Sequence, residues 1–127
     1  MEITISQAAG RAPITVFHLK GELSAEEPLI SNAEAAFQEG MRDLVLDMTA
    51  VPFVSSAGLR AIHHIYLLLH PDANEKSVHR GIAAGTYPAP HLKLAGPPKN
   101  AAKALQAAGY DMFLEICKSE HDAVASF

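Results

Sequence analysis

The sequence predicts a mixed α/β domain with its elements in the order ββαβα, a long loop, then βαβα. Three observations carry that expectation. Runs rich in β-branched, aromatic and aliphatic residues recur at Ile14–Leu19, Leu44–Leu46 and His91–Ala95, as strands require. Between them lie stretches whose apolar residues fall three and four apart, as on one face of a helix. The first two strands have no helix between them and the later ones do. This implies a hairpin followed by parallel βαβ units, hence a mixed β-sheet with helices packed against it.

Each element has its own local reason. Ile3 and Ile5 alternate with Glu2, Thr4 and Ser6, and a turn at Gly10 ends this first strand. Ile-Thr-Val-Phe-His-Leu at 14–19 makes the second, closed by Gly21, and the two pair across Ala8-Ala9-Gly10. Ser24-Ala25-Glu26-Glu27 has capping-box spacing, so a helix is expected from Ser24, or from Glu27 because of Pro28. Leu29, Ala33, Ala36 and Phe37 form its apolar face and Gly40 ends it. Leu44-Val45-Leu46 is a fully buried strand of the kind covered by helices.

After a loop at Pro52, Ser55-Ser56 opens a helix carrying Leu59, Ile62, Ile65, Tyr66 and Leu69, which stops before Pro71. Residues 71–90 hold three prolines, two glycines and no periodicity, and are expected to form an inserted loop. His91–Ala95 is the next strand. Pro97-Pro98 leads into a helix with Gly109 past its end, Phe113–Ile116 is a last short strand, and Ser119 caps a helix running to Phe127. No repeat or composition break divides the chain, so one domain is expected over 1–127.

Composition narrows the function. With 127 residues, 49% hydrophobic and 19% charged, the chain can bury a core without disulfide or metal staples. A net charge of −4 speaks against binding a nucleic-acid backbone. The single cysteine, Cys117, can form no internal disulfide and points to a reducing compartment, the cytoplasm. The N-terminus has neither a basic segment nor a long apolar one. The most apolar stretch, 57–69, is interrupted by Arg60, His63 and His64, so no membrane association is expected.

Obvious catalytic devices are missing. There is no G-x-G-x-x-G and no G-x-x-x-x-G-K-[ST], so the chain is not expected to hold ATP, and no cofactor is implied. His63 and His64 are adjacent and face different ways. His70, His79 and His91 flank or lie in the 71–90 loop, and no histidine pair has i, i+4 spacing, so no metal ligands are assigned. Ser55 and Ser56 stand at a tight strand-to-helix turn, but Phe53 and Val54 precede them where a nucleophile elbow needs glycine. Asp47, at the end of the central strand, is taken as structural. No enzyme is indicated. On local chemistry alone the serine pair is a helix N-cap, worth about 1 kcal/mol.

The segment Leu44-Val45-Leu46-Asp47-Met48-Thr49-Ala50-Val51-Pro52-Phe53-Val54-Ser55-Ser56-Ala57-Gly58-Leu59-Arg60 resembles the signature of the STAS family, the bacterial anti-sigma factor antagonists and their relatives. Its members show a buried strand ending in Asp, a short loop, an aromatic, then Asp/Ser-Ser-x-Gly-Leu opening a helix. Leu19-Lys20-Gly21-Glu22-Leu23 is similar to the family's Gly-x-Leu-Asp strand end. Leu92 to Gly96 and Gly109-Tyr110-Asp111-Met112-Phe113 extend the resemblance over nearly all of the chain except 71–90. The chain departs from the family pattern at two positions, with Ser55 before the acceptor serine and Ser24 after Gly-x-Leu where the family usually has Asp.

The resemblance implies a partner switch. The antagonists bind an anti-sigma factor that is an ATP-binding serine kinase of the GHKL type. The kinase phosphorylates one serine at this helix N-terminus, a phosphatase reverses the modification, and transcription is controlled through the released sigma factor. Carried onto this chain, the acceptor is Ser56. The partner surface comprises Ser24, Ser55, Ser56, Ala57 and Gly58, with Arg60 and His63 further along the helix. An alternative expectation is a STAS-type module that is never phosphorylated and serves as a small-ligand-binding or scaffold domain. A hydrolase using Ser56 is a third.

Overall fold

The computed structural model describes residues 1–9, 13–71 and 89–127. A five-stranded sheet runs in the order β1 (Glu2–Ala9), β2 (Pro13–Lys20), β3 (Leu44–Ala50), β4 (Leu92–Ala95) and β5 (Glu115–Cys117). β1 and β2 pair antiparallel with Ile5 opposite Phe17, and every later pairing is parallel. The mixed sheet expected from the sequence is therefore the one observed. Of the expected 71–90 insertion, residues 72–88 lie outside the described residues, as does the hairpin turn at Gly10.

The two faces of the sheet carry unequal cores. On one, Phe17, Leu19, Leu44, Leu46, Met48, Leu92 and Leu94 pack under α1 (Leu29–Gln38), α2 (Ser56–Leu69) and α3 (Lys99–Ala107). On the other, Ile14, Val16, Val45 and Ala95 are covered by Ala123 and its neighbours from α4 (Glu120–Ala125). Alternate residues of β2 and β3 feed the two cores, because side chains of a strand alternate between faces. The middle strands are buried on both sides, which is why β3 reads as an unbroken apolar run rather than a polar–apolar alternation.

The start of the first helix and the span of the last strand differ from expectation, whereas the helix stop at Gly40 is where the sequence places it. α1 begins at Leu29, with Pro28 at the N-cap position after a cis Glu27–Pro28 bond. The Ser24–Glu27 capping box does not form: Glu27 instead accepts a hydrogen bond from Ser31 Oγ in the first turn of the helix. At the other end Gly40 takes φ +109°, which lets Met41 N–H reach Ala36 O at 3.0 Å and Gly40 N–H reach Phe37 O at 3.0 Å, a Schellman closure.

The last strand is Glu115–Cys117 rather than Phe113–Ile116. A 3-10 turn at Tyr110–Met112 intervenes, and Phe113 is spent on aromatic packing instead of pairing. Its ring lies 5.0 Å from that of Tyr66 and 5.1 Å from that of Tyr110.

Candidate functional site

The loop before α2 and the loop after β2 are joined as a short piece of sheet. Leu23 N–H donates to Phe53 O and Ser55 N–H donates to Leu23 O, both at 2.9 Å, making an isolated parallel bridge between Leu23 and Val54. Leu23 and Val54 are themselves buried, so apolar packing holds the bridge from below. This arrangement sets Ser24 beside the Ser55–Ser56 turn, although the two lie some thirty positions apart in the chain.

Gly58 explains how close the elements come. A Cβ at this position would lie 2.3 Å from Leu23 O, 2.8 Å from Leu23 Cγ and 3.0 Å from Val54 Cγ1. Only a residue without a side chain lets the first turn of α2 rest on the Leu23 backbone. Gly58 is buried, so it shapes the surface from beneath, while Ser24, Ser56, Arg60 and His63 are exposed and Ser55 and Ala57 are half-buried.

The adjacent serines have different roles. Ser55 is the N-cap of α2: its Oγ accepts from Gly58 N–H at 3.3 Å and its hydroxyl reaches Leu23 O at 3.4 Å. That satisfies one of the donors a helix start leaves open. Ser56 is the first helical residue, is exposed, and makes no side-chain hydrogen bond among the described residues. Its Oγ is thus available at the positive end of a 14-residue helix. The N–H groups of Ser56 and Ala57 precede the first bond of the helical ladder, from Leu59 N–H to Ser55 O.

Two side chains that sequence reasoning left out complete this surface. Phe53 is 48% exposed, although its carbonyl is fixed by the bridge to Leu23. Glu26 reaches Arg60 Nε at 3.6 Å, so a carboxylate stands near the turn even though positions 24 and 55 carry serine. The exposed aromatic was legible in Pro52-Phe53-Val54 as an apolar residue in a loop. The Glu26–Arg60 contact carried no local signal. Behind the surface, Tyr110 OH donates to Leu59 O at 2.8 Å, and burial pushes the Tyr110 phenol above its ordinary pKa, keeping it a donor.

The histidines divide as well. His64 is exposed and 3.6 Å from Glu34 of α1, and His63 stacks on Tyr66 with ring centres 6.1 Å apart. His70 is buried at the C-terminus of α2, where Nδ1 donates to Tyr66 O at 2.8 Å and Nε2 accepts from His91 N–H at 3.2 Å. The partners fix that tautomer, since a carbonyl can only accept and a backbone N–H can only donate. Of the histidines that flank or lie in the 71–90 segment, His79 lies outside the described residues. No described helix is long and apolar enough to cross a membrane.

On the opposite face of the sheet, His18, Asp47 and Glu120 converge from β2, β3 and α4. His18 Nδ1 lies 3.0 Å from Asp47 Oδ2 and 3.7 Å from Glu120 Oε2, and Ser6 Oγ lies 2.9 Å from His18 Nε2. Burial raises the Asp47 pKa, but hydrogen bonds from Thr49 N–H and Thr49 Oγ1 and the contact with His18 outweigh it and lower the carboxyl overall.

Comparison with known proteins bears on the fold and the family. No curated protein sequence matches the chain. Among solved structures, an anti-sigma factor antagonist from Mycobacterium paratuberculosis superposes with a TM-score of 0.67 at 18% identity, covering 96% of this chain and 91% of that one. A candidate anti-sigma factor antagonist from Thermotoga maritima gives 0.61 at 15% identity, with 94% and 90% covered. The unphosphorylated form of the anti-sigma factor antagonist SpoIIAA gives 0.59 at 14% identity, with 95% and 92% covered. These likenesses establish a shared fold. The family model of the STAS domain matches residues 6–72, from the middle of β1 to just past the end of α2, and the chain belongs to the STAS domain family.

Proposed function

We propose that this chain is a partner-switching anti-sigma factor antagonist, a single cytoplasmic domain over 1–127 whose contact with its partner is set by reversible phosphorylation of Ser56. The partner is an anti-sigma factor that is also an ATP-binding serine kinase of the GHKL type. A phosphatase restores the unmodified form, and the outcome is control of transcription. The observation that carries this reading is the separation of roles at 55 and 56: Ser55 is engaged as the cap, and Ser56 offers a free hydroxyl on the exposed first turn.

The energetics suit a switch. A phosphate on Ser56 adds about −1.5 to −2 charges at pH 7 beside a helix N-terminus, which favours anions, so the domain stays folded. A partner seated over Ser24, Ser56, Ala57, Arg60, His63 and the exposed Phe53 would have to enclose that charge. A loss of about 3 kcal/mol in binding is more than a hundredfold in Kd. The test is incubation with the cognate kinase and ATP followed by mapping of the phosphate by mass spectrometry. Phosphate at Ser56, and loss of partner binding in Ser56→Asp, are expected. Modification at another residue, or a Ser56→Asp variant that binds as tightly as wild type, overturns the switch.

A second reading, a STAS module that is never phosphorylated and acts as a scaffold or small-ligand binder, is favoured by Ser24 and Ser55 standing where the family usually has Asp. In that case Ser56→Ala leaves partner or ligand binding intact, and the kinase reaction yields no product.

A further inference from the structure

The group formed by His18, Asp47 and Glu120 belongs to neither the proposed partner surface nor the main core. Its side chains are 34%, 13% and 39% exposed, which is open enough for an ion to enter and covered enough to hold it. One ligand atom from each residue lies within 4.8 Å of the other two, and His18 Nδ1 is 3.0 Å from Asp47 Oδ2 and 3.7 Å from Glu120 Oε2. Bonds of about 2.1 Å to a common ion would set such atoms roughly 3.0 to 3.4 Å apart; the two separations from His18 Nδ1, 3.0 and 3.7 Å, are near that range, and drawing the two carboxylates together falls to Glu120, the most exposed of the three.

The surrounding groups orient the three ligands. Thr49 N–H and Thr49 Oγ1 both donate to Asp47 Oδ1, at 3.1 and 2.9 Å, leaving Oδ2 turned toward His18. Ser6 Oγ, 2.9 Å from His18 Nε2, can accept its N–H and so hold the tautomer whose Nδ1 presents a lone pair. In that tautomer two carboxylate oxygens and the Nδ1 lone pair face one point, a set of acceptors that a cation between them satisfies, in place of the hydrogen bond that an Nδ1 proton makes to Asp47 Oδ2. One imidazole with two carboxylates matches the softness of zinc or manganese better than calcium, which prefers six to eight oxygens.

We propose that His18, Asp47 and Glu120 bind one divalent transition-metal ion of the zinc class, and that the ion fastens α4 to the sheet. The ligands come from β2, β3 and the first residue of α4, so binding joins elements far apart in the chain. Three protein ligands leave coordination positions for water or for a group from outside.

The test uses the full chain stripped with EDTA and titrated with zinc(II), followed by calorimetry, thermal unfolding and histidine 15N NMR. One equivalent is expected to bind, raising Tm, with the shift of His18 concentrated at Nδ1 and Nε2 still protonated. Glu120→Gln and His18→Gln should each weaken binding at least tenfold, whereas His91→Gln, at the distant contact with Asp43, should not. Glu120→Gln lies on the rim, where folding is not at stake, and so keeps the test decisive. Equal affinity in Glu120→Gln and His18→Gln overturns the site. So does the absence of saturable binding up to roughly 1 mM free zinc, or an NMR signature of an Nδ1 proton shared with Asp47 that zinc leaves unmoved.

Discussion

Replacing Gly58 with alanine sets two forces against each other. Helix propensity alone predicts a gain, since alanine is better than glycine inside a helix by about 1 kcal/mol. Packing predicts a loss, because the new Cβ would lie 2.3 Å from Leu23 O, where a carbon–oxygen contact needs about 1 Å more. Leu23 O is backbone held by the bridge to Ser55, so it cannot swing aside as a side chain could.

Relief requires α2 to back away. That strains the two 2.9 Å bonds of the bridge, each worth about 1 kcal/mol, on top of an overpacking cost of about 1–3 kcal/mol. The net, after the propensity gain of about 1 kcal/mol is subtracted, is a destabilisation of about 2–4 kcal/mol. With a urea m-value of about 2 kcal/mol/M, the midpoint should fall by about 1–2 M in equilibrium unfolding followed by circular dichroism, at unchanged m. A Gly58→Ala protein as stable as wild type, or more stable, would refute the close approach of α2 to Leu23 and with it the account of how Ser24 comes beside Ser55.

Other expectations follow from the same contacts. Ser55→Ala should cost about 1 kcal/mol through the lost cap, while Ser56→Ala stays within about 0.5 kcal/mol of wild type; urea unfolding of both separates the cap from the free hydroxyl. Burial, with a smaller push from the charge of His91, holds His70 below the ordinary 6.5 despite its bond to Tyr66 O and the nearby Asp43. The unfolded chain therefore binds the proton first. The His70 contribution is fully present above about pH 6.5 and is lost as pH falls from there through the lower folded-state value. Stability measured from pH 7.5 to 5 should decline less steeply in His70→Gln than in wild type. Lys93 has a side chain 6% exposed and 2.6 Å from Glu115 Oε2. Removing the partner strands a buried charge, so Glu115→Ala should cost about 2 kcal/mol by thermal unfolding, more than Lys93→Met, which removes the charge itself.

Most of the sheet was legible because its strands are buried in characteristic ways. Ile14, Val16 and Phe17 feed cores on both faces, and the spacing of Ile62, Ile65, Tyr66 and Leu69 matches the buried stripe of α2. The errors arose where two local chemistries compete. Ser24 and Glu27 have the spacing of a capping box, yet the proline at 28 and the pull of Leu23 toward Phe53 draw the chain elsewhere before the helix begins. Phe113 has strand-like character but is claimed by the rings of Tyr66 and Tyr110. The serine turn was found from sequence and the family resemblance singled out Ser56, but which hydroxyl caps the helix was not legible, since either residue could serve as a cap. His18 and Asp47 lie 29 positions apart and meet only because β2 and β3 pair in a particular register, which no spacing rule contains.

The inequality of the two sheet faces has a kinetic meaning. One face is locked by three helices and a contiguous set of large side chains. The other, among the described residues, depends on a six-residue helix and a shorter set of apolar groups. Breaking the smaller set leaves the larger one intact, so the domain can detach its C-terminal end without unfolding globally. Amide protons of α4 would then exchange through a low-energy local opening, while those of β3 wait for the whole domain to come apart. Anything that fastens α4, a bound ion or a partner, would lengthen the lifetime of that one end and leave the rest of the exchange profile where it was.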